Sequence, residues 1–164
     1  MLLRQSFALI VLALAGHSTM GQSTAEEAAV MKPIHLLFEG MRKADSALVS
    51  KAFVRGASFV IVDPGAEGNP QLVKSELGKF LISMARPRKE VYSEPIWDVN
   101  INIDGSLAQV WARYAFYIDR QLHHCGIDTF QLLKVKNEWR IFHLAYTRQD
   151  KDCVVPQQIQ DQYK

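Results

Sequence analysis

The sequence predicts a single α+β domain in which helices come first and a long antiparallel sheet follows. Two observations carry this. Apolar residues recur at three- and four-residue spacing through the first half, from Val30 to Met84. From Val91 onward they alternate singly and are punctuated by turn signals, of which Asp104-Gly105 is the strongest. The chain has 164 residues. Removing a 21-residue leader leaves 143, enough for one domain.

Residues 1 to 21 read as a secretory signal. Arg4 supplies the positive start, and Phe7 to Ala15 is apolar but short of the roughly 20 residues that span a bilayer. Cleavage fits after Ala15 or after Gly21, the second leaving Gln22 first. No later segment is apolar enough to cross a membrane. The mature chain carries 18 basic against 17 acidic residues, which gives no electrostatic reason to expect nucleic acid or an anionic membrane.

Val30, Ile34, Leu37, Met41 and Ala44 form one stripe of a first helix that contains Pro33. Asp45 can cap a second, short helix over Ser46 to Phe53. Ala57 to Val62 is apolar and partly β-branched, a strand stopped by Asp63-Pro64-Gly65. Asn69-Pro70 has the form of a helix start, and Leu72, Val73, Leu77, Phe80, Leu81 and Met84 then supply a stripe ended by Arg86-Pro87.

Val91 to Ile103 follows as a strand with Trp97, Val99, Ile101 and Ile103 on one face. A two-residue loop at Asp104-Gly105 sets Trp97 opposite Ala112 and Val99 opposite Val110. A turn at Asp119-Arg120 leads to a strand over about His123 to Lys136, and Asn137-Glu138 to a last strand over Trp139 to Arg148. Leu133, Phe142, Leu144 and Tyr146 share one face of that final pair. Phe130, Leu132, Ile141 and Ala145 share the other. Helices can cover only one apolar face, so a homodimer burying the second is expected. The tail after Cys153, residues 154 to 164, is polar and expected to be loose.

The order helix, helix, strand, helix, four strands resembles the nuclear transport factor 2-like superfamily. That is the cone-shaped fold shared by ketosteroid isomerase, scytalone dehydratase and SnoaL-like proteins. The resemblance lies in LFEGMRKADSALVSKAF (37–53), in VWARYAFYIDRQLHHCGIDTFQLLKVKNEWRIFHLAYTRQ (110–149) and in Cys153, and covers residues 31 to 153. Within the superfamily the chain looks most like exported bacterial proteins described as lumazine-binding. The resemblance implies three helices packed on a curved, mostly antiparallel sheet. It is specific for fold and says little about activity, because this fold hosts enzymes, binders and assembly modules.

Two carboxylates carry the candidate chemistry. Asp128 in GIDTF is similar to the isomerase segment whose protonated aspartic acid donates to the developing oxyanion, and Asp63 in VDP is similar to the segment holding its general base. The isomerase tyrosine on the first helix falls at Leu37, so the full constellation is absent. Desolvation in an apolar cone would raise the pKa of such a carboxyl toward acid–base work. The competing readings are a structural pair with Arg113 or a backbone amide for Asp128, and a turn former for Asp63. A plain two-residue turn at Asp119-Arg120 puts Asp128 opposite Trp111, away from Tyr114 and Phe116. A bulge at Cys125-Gly126 would return it to their side.

Scytalone dehydratase uses histidines with carboxylates in this cone, which draws attention to His123, His124 and His143. The first two are adjacent on a strand and point to opposite faces. His143 is the better partner for Asp128, one diagonal step across the last pair. Trp97, Tyr114, Phe116, Phe130 and Tyr146 are the candidate pocket wall, either as plain core or as a stacking surface for a flat apolar ligand. No phosphate loop, nucleophile elbow or metal motif is present, and no cofactor or metal is expected.

Three functions compete: an exported dimer binding a small apolar or aromatic molecule, an isomerase or dehydratase using Asp128 with Asp63 or His143, and an assembly module with a filled cone.

A Cys125–Cys153 disulfide is expected. Asn137-Glu138 as a loop places Cys125 opposite Asp150, with Cys153 just past the strand, so a chain that folds back brings the two Cα atoms within the roughly 4.4–6.8 Å a bridge needs. Export to an oxidising compartment would preserve it.

Overall fold

The structure, a computed structural model, describes residues 20–65 and 69–164, with side chains from Thr24 on. The leader expected over residues 1 to 21 lies outside the described residues, except that Met20 and Gly21 belong to the first helix.

Helix α1 (Met20–Lys43) buries the expected stripe of Val30, Ile34, Leu37 and Met41 and runs through Pro33. Glu26 near its start accepts hydrogen bonds from Lys134 Nζ at 2.7 Å and Trp139 Nε1 at 2.8 Å, fastening the helix to the last hairpin. Helix α2 (Ser46–Lys51) is capped by Asp45, whose carboxylate accepts from the Leu48 N–H at 2.9 Å. It stops two residues short of the expected Phe53, which opens strand β1 (Phe53–Asp63). The two helices touch at Gly40, where an added Cβ would lie 2.6 Å from the Val49 side chain.

The helix expected from Asn69-Pro70 begins only at Leu77. Residues 71 to 76 form instead strand β2 (Gln71–Glu76), antiparallel to β1 from Asp63 opposite Gln71 to Ser58 opposite Glu76. Leu72 and Val73 are 63% and 47% exposed, so they extend no buried stripe. Edge pairing has overridden local helix signals here. Helix α3 (Leu77–Met84) packs Leu77, Phe80, Leu81 and Met84 toward the core.

The expected strand from Val91 to Ile103 is two pieces, β3 (Tyr92–Ser93) and β4 (Ile96–Asp104), parted at Glu94-Pro95. Strands β5 (Leu107–Ile118), β6 (Gln121–Val135) and β7 (Glu138–Thr147) complete the sheet. Among the described residues it has seven strands. Its order is β2-β1-β7-β6-β5-β3, with β4 also on β5, and only the β1–β7 pair is parallel. The class is α+β, helices followed by a curved, open, mixed sheet. No described helix is long and apolar enough to cross a membrane.

Three registers differ from the simple turn arithmetic, and each moves a side chain to another face. The first hairpin turns on Gly105-Ser106, with Gly105 at φ 56°, so Asp104 faces Leu107 and Ile101 faces Val110. An irregularity at Asp98 (φ 50°) then sets Trp97 opposite Arg113 and Ile96 opposite Tyr114. Asp119-Arg120 is the second turn as expected, but an extra residue at His123 shifts the ladder so that Asp128 lies opposite Ala112. The third hairpin turns on Lys136-Asn137, both at positive φ, rather than on Asn137-Glu138. An extra residue at Phe142 then brings Ile141 and Leu144 to the same side as Phe130 and Leu132. The sheet is therefore less apolar on its outer face than simple alternation implied.

Cys125 and Cys153 are joined, with Cα atoms 5.8 Å apart. Cys125 faces Gln149 rather than Asp150. The tail expected to be loose contains helix α4 (Gln157–Gln160) and a short turn in which Tyr163 stacks on Tyr117, ring centroids 3.9 Å apart. Val155 is buried beside Ala115, Tyr117 and Cys125.

Candidate functional site

The inner face of the sheet and helices α1 and α3 enclose a cavity of about 330 Å³. Leu37 and Met41 reach it from α1, and Phe80 and Met84 from α3. Phe59, Ile61, Leu144 and Tyr146 face them from β1 and β7, with Tyr114 and Phe116 from β5. This wall is apolar and aromatic, as small-molecule pockets are. Tyr146 stands edge-on to Tyr114, and Phe116 lies tilted on His124 with centroids 4.9 Å apart.

Two carboxyl groups interrupt that wall. Asp128 is 3% exposed and its Oδ2 has no hydrogen-bond partner. It reaches the cavity because of the extra residue at His123, not through a bulge at Cys125-Gly126. Gly126 has another role: an added Cβ there would lie 2.8 Å from the Tyr114 ring and closer still to the Thr147 carbonyl. Its absence lets Tyr114 cross the neighbouring strand and donate its hydroxyl to the Thr147 carbonyl at 2.8 Å. Glu94 comes from the break between β3 and β4, where Pro95 has no N–H to continue a ladder. Its carboxyl is in hydrogen-bonding contact with Asp128.

Burial pushes the Asp128 carboxyl up to about 7, while the hydrogen bond from Glu94 works the other way. Burial first, then the Asp128 charge and their shared hydrogen bond, hold Glu94 well above the usual carboxylate range. Two such groups titrate as a unit and share a proton between them. Burial pushes the His124 imidazole down to about 4, aided by Arg148 and His123, so it is neutral at ordinary pH. Both tyrosine hydroxyls are raised by burial and the nearby acids, and stay protonated.

The other sequence candidates divide sharply. Tyr114, Phe116 and Tyr146 line the cavity with Asp128. Phe130 is fully buried in the core behind it. Trp97 is turned away by the irregularity at Asp98 and packs in the second apolar cluster with Cys153 and Tyr163. Asp63 is exposed at the end of β1, its carboxylate accepting from the Gly65 N–H at 2.7 Å as a turn former does. His143 sits beside Gln131 on the outer face, its Nδ1 2.7 Å from Ser58 Oγ. Neither Asp63 nor His143 is brought to Asp128. Sequence reasoning missed Glu94; the signal was its Pro neighbour inside an otherwise alternating run. Among the described residues no cluster of three or more His, Cys, Asp or Glu side chains is arranged to hold a metal.

Helices laid over a curved mixed sheet, with a cavity between them, define a nuclear transport factor 2-like protein. The chain belongs to the family described as "Putative lumazine-binding", which matches residues 25–147. Solved structures agree on the fold. A nuclear transport factor 2-like protein of unknown function from Shewanella baltica is 21% identical and superposes with a TM-score of 0.59, over 78% of this chain and 97% of that one. A function-unknown protein from Mycobacterium tuberculosis superposes at 0.66 with 12% identity, over 86% and 80%. A putative dehydratase of the same fold from Streptomyces avermitilis superposes at 0.60 with 15% identity, over 82% and 99%. No curated protein matches the chain.

Proposed function

We propose that this chain is an exported, dimeric binding protein whose cone takes a small apolar or aromatic molecule. The observation that carries the reading is a largely apolar, aromatic cavity of about 330 Å³ with a buried acidic pair, Glu94 and Asp128, in its wall. A packed assembly module would have filled that space with its own side chains. The family's name makes a flat bicyclic heterocycle a member of any test panel. Export is supported by the apolar leader sequence and by a disulfide suited to an oxidising compartment. Dimerisation is supported by the outer-face row of Trp111, Thr129, Ala145 and Val60, flanked by Leu107 and Leu133 at 51% and 41% exposure.

The test is thermal unfolding with naphthyl alcohols, naphthyl ketones and pteridines, paired with sedimentation of the free protein. A ligand-dependent rise in Tm supports the reading. No rise with any of the panel at millimolar concentration contradicts it, and a monomer at micromolar concentration removes the dimer.

A second reading is acid–base catalysis on an enone or hydroxy-ketone. It is favoured by an Asp128 carboxyl raised by burial to about 7 and in contact with Glu94, whose carboxyl burial also raises. Turnover abolished in Asp128→Asn would support it; turnover absent, or unchanged in that variant, would remove it.

A further inference from the structure

We infer that the ligand of this cavity is an organic ammonium ion, an aromatic or alicyclic amine whose charged nitrogen docks on Asp128 and Glu94. The inference rests on the proposed reading of the cavity as a ligand site and adds the ligand's chemical class.

Three observations lead there. Asp128 lies in the cavity wall at 3% exposure, yet its Oδ2 has no partner. A buried acceptor left open costs stability unless something supplies a donor. Glu94 contacts the same carboxyl, and one shared proton cannot satisfy the acceptor oxygens of both groups, so the pair still lacks a donor, an N–H or O–H. Next, among the described residues no basic side chain pairs with either acid: Arg88 is turned to the Met41 and Met84 carbonyls and the Tyr92 ring. Arg113 is held by Asp98 at 3.3 Å, Arg148 by Asp150 at 2.8 Å and Lys134 by Glu26 at 2.7 Å. Lys79 lines the mouth and makes no ion pair among the described residues. Last, the rings of Tyr114, Phe116 and Tyr146 stand around the acids, the setting in which aromatic faces attract an ammonium group.

The groups facing the pair set the pH dependence. Tyr114 and Tyr146 from β5 and β7 stay neutral, as does His124 from β6, and α1 contributes only Leu37 and Met41. Lys79 of α3 lies at the mouth, and Arg148 beyond β7 is occupied by Asp150. Asp128 is then the group whose ionisation creates the charge that an ammonium ion recognises. Protonating it removes the attraction, so affinity for the amine falls as pH drops through its titration.

Calorimetric titration of the full chain with 1-naphthylmethylamine, 1-naphthylmethanol and 1-acetonaphthone decides the matter. The amine should bind roughly tenfold or more tightly than the alcohol at about pH 8, with that advantage lost at about pH 5.5. Asp128→Asn should erase the advantage while leaving alcohol binding. Glu94→Gln, an isosteric change that tests the same preference should the first variant not fold, should reduce it. Equal or tighter binding of the alcohol or ketone at about pH 8 overturns the inference while leaving the cavity as a ligand site. A preference unmoved by pH also overturns it. Binding of none of the three overturns the inference and the proposed function together.

Discussion

The two faces of the β5–β6–β7 sheet are built from the same three strands, yet one lines the cavity and the other does not. On the inner face Ala112, Asp128 and Tyr146 stand in one row across the strands. One residue along, Trp111, Thr129 and Ala145 form a row on the outer face. Only the inner row is closed over by helices α1 and α3, and there burial raises two carboxyl groups, whereas on the outer face it raises the Tyr117 phenol under the tail. Asp128 is raised to about 7. His143, on the outer face, shares a hydrogen bond with Ser58 and touches no cavity. The difference teaches that in this molecule a bulge decides which side chains reach the cavity. One extra residue at His123 moves Asp128 inward, and one at Phe142 moves His143 outward.

Breaking the inner face should have the largest effect. Phe130 is 0% exposed and meets Phe38 edge-on at 6.2 Å between centroids. Phe130→Ala should cost about 3–5 kcal/mol in denaturant unfolding. A loss below about 1 kcal/mol would mean that the helices do not pack on this face as described.

The outer face is fastened at one end by the tail. Opening the Cys125–Cys153 bridge, which spans 28 residues, should cost about 3–4 kcal/mol in the chain-entropy account. Cys153→Ser unfolding compared with the oxidised protein measures it. An unchanged midpoint would show that the tail is held by Val155 and Tyr163 alone.

The carboxyl pair gives a smaller, pH-shaped effect. Asp128 has a folded pKa of about 7, above its ordinary value of 3.8, so between those limits the folded state binds more protons than the unfolded one. Stability should therefore be full below about pH 4 and fall as pH rises toward about 7, with Glu94, also raised in the folded state, adding a loss of the same sign. Asp128→Asn should flatten this slope. Stability that rises with pH through the same window would place Asp128 in an ion pair instead.

The smallest effects sharpen the contrast. Asp63→Ala and His143→Gln should each change stability by no more than about 0.5–1 kcal/mol and leave ligand binding unaltered. A tenfold loss of binding in either would bring that residue back to the site.

Much of the fold was legible in the sequence. The α1 stripe, the Asp45 cap, the Asp119-Arg120 turn and the Cys125–Cys153 pairing all follow from local spacing and simple chain geometry. What escaped has a physical reason in each case. Residues 71 to 76 look helical by their flanks, but edge pairing with β1 decides their state. Turn position shifts by one residue at Gly105 and at Asn137 because positive φ can fall on either neighbour of the turn signal. A bulge leaves almost no composition signature, yet it reverses the face of every residue beyond it, so Trp97 and His143 were placed inside when they lie outside. Asp128 was singled out by resemblance, and it lies in the cavity wall. Glu94 was not, because its role depends on a break in pairing that a proline only hints at.

The central claim is that Asp128 and Glu94 share a proton inside the cone. Carbon-13 NMR of labelled aspartate and glutamate carboxyls, followed against pH and assigned with Asp128→Asn and Glu94→Gln, measures it directly. The account predicts that the pair still holds a proton at about pH 6, with Asp128 titrating near 7 and Glu94 well above the ordinary carboxylate range. Two carboxyls that both ionise near pH 4, as exposed ones do, would contradict it.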